Sequence, residues 1–268
     1  QLFIGAEGSL GVVTGVSIQC PAKPESVQVA MFNCETFERV LDTFRLSRQS
    51  LGEILSAFEF VDGPSYDLSL KHKQIPNPME QSSPFYVLIE TSGSNESHDR
   101  EKLFDFLEKA TERECVSNGI IASDNTQMSD LWNLRESLSE ALTKEGYVYK
   151  YDLSLPYEKF YTIVEELKER LPASLASVYS YGHVGDANIH LNIVSPQYSE
   201  EVRNIIEPWV YEFCATYGGS VSAEHGIGQM KTKYLPLNKS EAHVKYLKEI
   251  KRIFDPHSIL NPRKMFPE

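Results

Sequence analysis

The sequence predicts an α+β fold in which helices cover an antiparallel β-sheet. Segments with the composition or alternation of strands occur at residues 27–32, 86–90 and 146–155. Segments with apolar side chains at helical spacing occur at residues 36–47, 101–110, 162–171 and 202–213. The strands are few and lie close together along the chain, which favours antiparallel pairing.

The remaining segments also carry local signals. Residues 1–26 predict two short β-type runs around a glycine-rich turn, closed by Pro21 and Pro24. Residues 64–84 predict a surface loop, because KHKQIPNPMEQSSP is rich in polar residues and prolines. Pro208 should bend the helix at 202–213, which Gly218 and Gly219 then stop.

Composition limits the possible partners. The 268 residues correspond to about 1.8 domains of usual size, so we expect one large or two modest domains. The formal net charge of -12 disfavours binding to nucleic acid or to an anionic membrane. Apolar runs are too short for a transmembrane helix. Four cysteines without a CxxC pair indicate a reducing compartment and buried thiols.

The first residues are unusual for a natural N-terminus. Gln1 leads straight into an apolar, strand-like run without an initiator methionine or a targeting segment. We therefore expect the chain to be a fragment.

Two motifs concentrate residues that can bind metals. In YGHVGDANIHLNIV, His183 precedes a Gly-Asp turn and can fold back beside His190 on the following strand. Alternation then places Asn188, His190 and Asn192 on one face of that strand. In SAEHGIG, Glu224 and His225 precede two glycines.

Two histidines and one carboxylate are a minimal ligand set for a divalent metal with open positions. His183, His190 and Glu224 would supply it, which leaves His225 free for proton transfer. The alternative is that the histidines cap a turn and that Glu224 and His225 lie in a solvated loop. Spacing alone leaves both interpretations open.

A second group of residues is rich in cations. Arg135 and Ser139 are four residues apart, so they should share one helix face. Lys150 lies on the strand 146–155 between two tyrosines. Lys150 is therefore either an ion-pair partner or an anion anchor, whereas a helical arginine such as Arg135 more often makes a surface salt bridge, for which Glu136 and Glu140 are natural partners.

Five segments together resemble the flavoprotein family that oxidises D-2-hydroxy acids, within the vanillyl-alcohol-oxidase-like FAD superfamily. They are IGAEGSLGVVT, LWNLRESLSEALTKEGYVYKYDLSLP, GHVGDANIHLN, SAEHGIG and FDPHSILNPRKMF, in the order of the family. The resemblance covers essentially the whole chain. It implies a ferredoxin-like cap domain for substrate and metal, preceded by the C-terminal edge of an FAD-binding domain.

The resemblance also implies roles for single residues. The metal ligands would be His183, His190 and Glu224, with zinc as the usual ion, and the catalytic base would be His225. The substrate-binding residues would be Arg135, Ser139, Lys150 and Asn192. The flavin-side residues would be Glu7, Gly8, Gly11, Val13 and Asn261. Ser139 stands where the family has threonine, and Arg263 stands where relatives often have glycine, at a position that favours a permissive backbone.

The implied reaction is FAD-dependent oxidation of D-2-hydroxyglutarate to 2-oxoglutarate, assisted by a metal and a histidine base, with hydride transfer to the flavin. The expected units are an FAD-domain remnant at 1–25, a substrate and metal domain at 26–250, and a segment at 251–268 that returns to the flavin. The resemblance further implies a mitochondrial location, a small 2-hydroxy dicarboxylate substrate and an electron-transfer flavoprotein as acceptor. It is compatible with a homodimer, and the fragment alone should be inactive.

The sequence is compatible with three alternatives. They are D-lactate oxidation by a member of the same family, a flavin-free metal hydrolase, and an inert cap with a vacant metal site. A nicotinamide fold is unsupported, because no GxGxxG follows a strand.

Overall fold

A single antiparallel sheet organises the protein, whose computed structural model describes residues 1–73 and 75–266. Its strands are β1 (Ser26–Cys34), β2 (Leu55–Asp62), β3 (Phe85–Gly93), β4 (Asn118–Ile121), β5 (Tyr147–Ser154), β6 (Ser177–His183) and β7 (Asn188–Ser195). Within the described residues they pair in the order β4-β1-β3-β2-β6-β7-β5, and every pair is antiparallel. The predicted α+β class with an antiparallel sheet is confirmed.

Helices connect and cover these strands. The first six in chain order are α1 (Phe37–Ser50), α2 (Gly63–Lys73), α3 (Glu96–Glu112), α4 (Asn125–Glu136), α5 (Leu138–Glu145) and α6 (Thr162–Arg170). They are followed by α7 (Glu200–Ile206), α8 (Trp209–Thr216), α9 (Leu235–Asn238) and α10 (Glu241–Phe254). None of the described helices has the length and apolar character needed to cross a bilayer.

Helices lie on both faces of the sheet, so that each face has its own hydrophobic core. Alternate side chains of one strand enter these two cores. Phe60 of β2 belongs to the core that also contains side chains of α1, α3, α6 and α8. Its neighbour Val61 belongs to the core beneath α2, α4 and α5. The second face is the one that carries the polar residues described below.

Most predicted elements match the structure, and three local predictions are wrong. The predicted helix 202–213 is two helices, since Pro208 lacks an N–H and its ring obstructs a continuous helix. The predicted loop 64–84 begins with α2, whose Tyr66 and Leu68 are buried. No strand forms among residues 1–25, where Val12, Val13, Val16 and Ile18 are exposed rather than paired in a sheet.

The two ends of the chain meet beside α10. The ring of Phe3 packs edge-on against Phe254, with centroids 5.7 Å apart. The Lys251 ammonium donates hydrogen bonds to the Ser9 and Leu260 carbonyls, each at 2.9 Å, and to the Asp255 carboxylate at 2.7 Å. This one cation therefore ties the N-terminal segment to the C-terminal segment.

The backbone of the C-terminal segment is unusual near its end. Arg263 has φ 61°, in the left-handed region that is unfavourable for a residue with a Cβ. The expectation that this position favours a permissive backbone is confirmed.

Replacement of Lys251 by methionine should loosen the C-terminal segment while the sheet stays intact. The variant keeps the length of the side chain and removes the three hydrogen bonds. Amide hydrogen exchange should become faster in residues 255–265 and stay unchanged in β2 and β7. Lys245→Met is the matched control, since Lys245 lies on the same helix and pairs only with half-buried Glu249 in the described contacts. Equal exchange in both variants would contradict this role.

Acid should weaken the contact between Lys251 and Asp255. The hydrogen bond from Lys251 lowers the pKa of the Asp255 carboxyl to about 2, below its unfolded value of about 3.9. The resulting stabilisation is therefore fully present above about pH 4 and is lost as the pH falls towards 2.

Candidate active site

A row of polar side chains crosses four adjacent strands on one face of the sheet. Glu59 of β2 lies opposite His183 of β6, and His190 of β7 lies opposite both Tyr181 of β6 and Asp152 of β5. Residues paired in this way point to the same face of a sheet. The register therefore gathers side chains that are up to 131 positions apart in sequence, from Glu59 to His190.

The tight connection between β6 and β7 brings two imidazoles together. A 3-10 turn, Val184–Asp186, joins the strands, and Ala187 completes it in the left-handed conformation with φ 58°. The Nε2 atoms of His183 and His190 are 3.3 Å apart. The prediction that His183 folds back beside His190 is confirmed.

Glu224 approaches the same point from a separate loop. One carboxylate oxygen is 3.7 Å from Nε2 of His183, and the other is 3.9 Å from Nε2 of His190. Donors about 2.0–2.2 Å from a tetrahedral zinc ion are separated by roughly 3.3–3.5 Å. The three donors are therefore close to the spacing of a divalent metal site.

Both histidines face a buried carboxylate with their other ring nitrogen. Nδ1 of His183 is 2.8 Å from Oε1 of Glu59, and Nδ1 of His190 is 3.9 Å from Oδ1 of Asp152. Metal-binding histidines commonly donate their second N–H to a carboxylate, which fixes the tautomer and the ring orientation. The Oδ1 atom of Asp152 is buried and accepts no hydrogen bond from the described residues. It is therefore available to such a histidine.

A second donor set overlaps the first. One atom each from Asp152, His190, Glu224 and His225 also lie within 4.8 Å of one another. However, Oδ2 of Asp152 already accepts hydrogen bonds from the backbone N–H groups of Glu224 and His225, at 2.7 and 2.8 Å. This carboxylate is thus partly committed to the loop, and we favour the set of His183, His190 and Glu224.

The two histidines differ in their electrostatics. Burial, followed by the nearby Arg135 and His183, lowers the pKa of His190 to about 4, so His190 is neutral at pH 7. The hydrogen bond to Glu59 raises the pKa of His183. Burial opposes the ionisation of Asp152, but the backbone N–H groups of His225 and Glu224 outweigh it and lower the pKa of that carboxyl.

His225 lies at the edge of the site. Its imidazole stacks on that of His190, with ring centroids 5.7 Å apart and planes 20° apart. The side chain is exposed, unlike that of His190. It can therefore exchange a proton with a bound molecule or with solvent.

The cations form the other side of the same cavity. The Arg135 guanidinium donates to Oε2 of Glu59 at 2.8 and 3.0 Å and lies over the ring of Tyr181, 4.7 Å from its centroid. Lys150 donates a hydrogen bond to the hydroxyl of Ser139 at 3.1 Å. The prediction of a surface ion pair with Glu136 or Glu140 is therefore wrong, since the partner of Arg135 is buried Glu59.

The prediction that Arg135 and Ser139 share one helix face is also wrong in detail. Ser137 separates α4, which carries Arg135, from α5, which carries Ser139. Both residues nevertheless border one cavity of about 460 Å³. Its lining residues are Arg135, Glu136, Ser139, Lys150, Tyr151, Tyr181, His183, His190, Asn192, Glu224 and His225.

The structure thus brings together eight of the predicted site residues and leaves five elsewhere. The eight are His183, His190, Glu224, His225, Arg135, Ser139, Lys150 and Asn192. The other five, Glu7, Gly8, Gly11, Val13 and Asn261, lie in the two terminal segments. Within these segments Asn261 donates a side-chain hydrogen bond to the Glu7 carbonyl and lies against Gly8.

Sequence reasoning missed three residues of this site. Asp152 is two residues after Lys150 on a strand, so alternation alone could have placed both on one face. Tyr181 precedes His183 by two residues and follows from the same rule. Glu59 gave no such signal, because β2 was not predicted.

Comparisons with known proteins agree with this fold. The family described as FAD linked oxidases, C-terminal domain, matches residues 23–265. A D-2-hydroxyglutarate dehydrogenase, mitochondrial, from Danio rerio is 48% identical over 268 residues, which are 100% of this chain and 50% of that protein. The protein of the same name from Arabidopsis thaliana is 49% identical over 268 residues, covering 100% of this chain and 48% of its own length. The chain therefore spans about half the length of these relatives.

A solved structure shows the same fold at low sequence identity. Alkyldihydroxyacetonephosphate synthase superposes with a TM-score of 0.65 at 16% identity, over 97% of this chain and 48% of that one. The family match extends over most of the sequence and includes the whole sheet and the cavity. The chain belongs to the FAD-linked oxidases and comprises their C-terminal domain.

Proposed function

We propose that the complete protein containing this chain oxidises D-2-hydroxyglutarate to 2-oxoglutarate with FAD and a divalent metal, zinc being the expected ion. The observation that carries the proposal is a single cavity with a metal-type donor set at one side and two cations at the other. A 2-hydroxy dicarboxylate has matching parts, namely a hydroxy acid group and a second carboxylate. The names of the two relatives support the same substrate.

Each side chain has a distinct task in this proposal. His183, His190 and Glu224 hold the metal, with Glu59 and Asp152 orienting the imidazoles. Arg135, Lys150 and Ser139 bind a carboxylate through charge-assisted hydrogen bonds. Asn192 lies opposite Lys150 on the neighbouring strand and completes the floor of the cavity.

Proton removal is assigned to His225. When bound, the metal polarises the substrate hydroxyl as a Lewis acid, and the flavin accepts the α-hydrogen with its bonding electrons. His225 takes the hydroxyl proton as general base. The stacking of its imidazole on that of His190 places His225 directly beside the proposed metal ligands.

Several broader expectations belong to the same proposal. They are the units 1–25, 26–250 and 251–268, of which residues 267–268 lie outside the described residues. They also include a place on the flavin side of the protein for Glu7, Gly8, Gly11, Val13 and Asn261, an electron-transfer flavoprotein as acceptor and a homodimer. The mitochondrial location in the names of the relatives supports the same compartment for this protein.

The decisive experiment follows flavin reduction in the complete protein. D-2-hydroxyglutarate should bleach the oxidised flavin absorbance, a chelator should abolish the bleaching, and zinc should restore it. His225→Ala should retain the metal and lose most of the reduction rate. Bleaching that persists without metal, or at full rate in His225→Ala, would contradict the assigned roles. Absence of flavin from the purified complete protein would instead support the alternative of a metal hydrolase.

Glu59→Gln should weaken metal binding. Glutamine has nearly the same shape, but it lacks the charge that holds His183 and Arg135, and such changes commonly lower metal affinity by about 10–100-fold. Competition between the protein and a chelator for zinc measures this. Glu90→Gln is the matched control, because Glu90 lies on neighbouring β3 and also accepts two side-chain hydrogen bonds, from Ser56 and Trp132. Unchanged zinc affinity in Glu59→Gln would exclude a role in orienting His183.

Lys150→Met should discriminate between substrates. Loss of one charge-assisted hydrogen bond should raise KM for D-2-hydroxyglutarate by about 10-fold or more and leave KM for D-lactate nearly unchanged. Lys144→Met removes a cation of the same type that pairs with exposed Glu140, and it serves as control. An equal rise of KM for both substrates would show that Lys150 does not bind the second carboxylate. Arg135→Ala should likewise raise KM for D-2-hydroxyglutarate more than KM for D-lactate. It should also lower the stability of the protein, because it leaves the buried Glu59 carboxylate without its ion-pair partner.

A further inference from the structure

Glu7 lies in the N-terminal GAEGSLG segment, where the resemblance assigns it to the flavin. Its side chain makes a different contact in the structure. Oε1 of Glu7 accepts a hydrogen bond from the backbone N–H of Ile227 at 2.6 Å, and Oε2 accepts one from Gly228 at 2.8 Å. Both oxygens of the carboxylate are therefore engaged by a loop that is 220 residues away in sequence.

The contacted loop begins with two residues of the candidate active site. Glu224 and His225 immediately precede Gly226, Ile227 and Gly228. A Cβ atom at Gly226 would lie 2.7 Å from Oε1 of Glu7, and Gly226 has φ 82°. Glycine at this position thus permits both the left-handed backbone and the close approach of the carboxylate.

A second carboxylate holds the other end of the loop. Oδ2 of Asp152 accepts the N–H groups of Glu224 and His225, so two carboxylates bind four amides of one short loop. The Ser222 hydroxyl donates to the Gly226 carbonyl at 2.7 Å and closes the loop on itself. Asp152 belongs to the sheet, whereas Glu7 belongs to the N-terminal segment.

The C-terminal segment joins the same contact. The Asn261 side chain donates to the Glu7 carbonyl, and the Met265 N–H donates to the Gly228 carbonyl at 2.9 Å. Glu7 itself has φ 50°, a strained conformation for a residue with a side chain, and these contacts hold it there. Three distant parts of the chain therefore converge on the loop that carries Glu224 and His225.

We propose that Glu7 is a positioning residue of the active-site loop and that its carboxylate is not a flavin ligand. By holding residues 226–228, it fixes where Glu224 and His225 stand relative to the sheet histidines. The N-terminal segment then connects the flavin side of the protein mechanically to the metal side. The inference rests on the proposed function for the roles of Glu224 and His225, but the contact itself does not depend on them.

The Glu7→Gln variant distinguishes a flavin ligand from a positioning residue of the loop. The amide group of glutamine has one acceptor oxygen in place of two, so one loop N–H loses its partner. In the complete protein we expect amide exchange within 222–231 to become at least about tenfold faster, with an unchanged ratio of FAD to protein. The dissociation constant for Co²⁺, followed by its visible absorbance, should rise by about tenfold or more.

Two further variants keep this test decisive. Glu25→Gln removes an exposed carboxylate near the end of the same N-terminal segment and should change none of the three measurements. Gly226→Ala disrupts the contact from the loop side and also strains a left-handed backbone, so the Glu7→Gln/Gly226→Ala double variant should be no worse than Gly226→Ala alone, because the contact is already lost there.

Several results would overturn the proposal. The first is that Glu7→Gln loses FAD while amide exchange in the loop stays unchanged. The second is that amide exchange in the loop of Glu7→Gln equals that of the wild type. The third is that Glu7→Gln and Gly226→Ala each lose FAD as well as Co²⁺. Failure of the proposed function would look different. The wild-type protein would then bind no Co²⁺ or leave D-2-hydroxyglutarate unoxidised, while the exchange comparison between wild type and Glu7→Gln would still stand.

Discussion

The pairing register of β2, β6, β7 and β5 is the constraint on which the site depends. A β-strand has a side-chain period of two, so a shift of one residue would send every polar side chain of that strand into the opposite core. The alternate residues Ile189, Leu191 and Ile193 are fully buried in one core. Their burial locks the register, and the register in turn presents His190 and Asn192 to the cavity.

Three carboxylates, of which Glu59 and Asp152 are buried and Glu7 is half-buried, organise the site in a chain of net charge -12. Glu59 joins Arg135 to His183, Asp152 lies between His190 and the Glu224 loop, and Glu7 holds the far end of that loop. A buried carboxylate is costly unless it is paired or receives several hydrogen bonds. Each of these three meets that condition by fixing the position of a group that the proposed chemistry needs.

Charge is thereby divided between the two sides of the cavity. Arg135 has one edge neutralised by Glu59, whereas Lys150 contacts only a hydroxyl among the described hydrogen-bond partners. Attraction of the proposed dianionic substrate to this acidic protein would then depend on the local placement of the cations rather than on the net charge of the whole protein. The same arrangement keeps His190 neutral and suited to metal binding, since burial and the nearby Arg135 both disfavour its protonated form.

The sequence by itself determined the α+β class, the hairpin that pairs His183 with His190, and the grouping of eight site residues, through local alternation and the family's motifs. It did not reveal β2, because the second half of that strand is buried on both faces and shows no period of two. Nor did it reveal α2, whose buried Ser65 and Ser69 are satisfied by the carbonyls of Ser180 and Leu134, far away in the chain. Glu59 and the loop contact of Glu7 were decided by the tertiary structure alone, because a carboxylate's role depends on which distant N–H groups surround it.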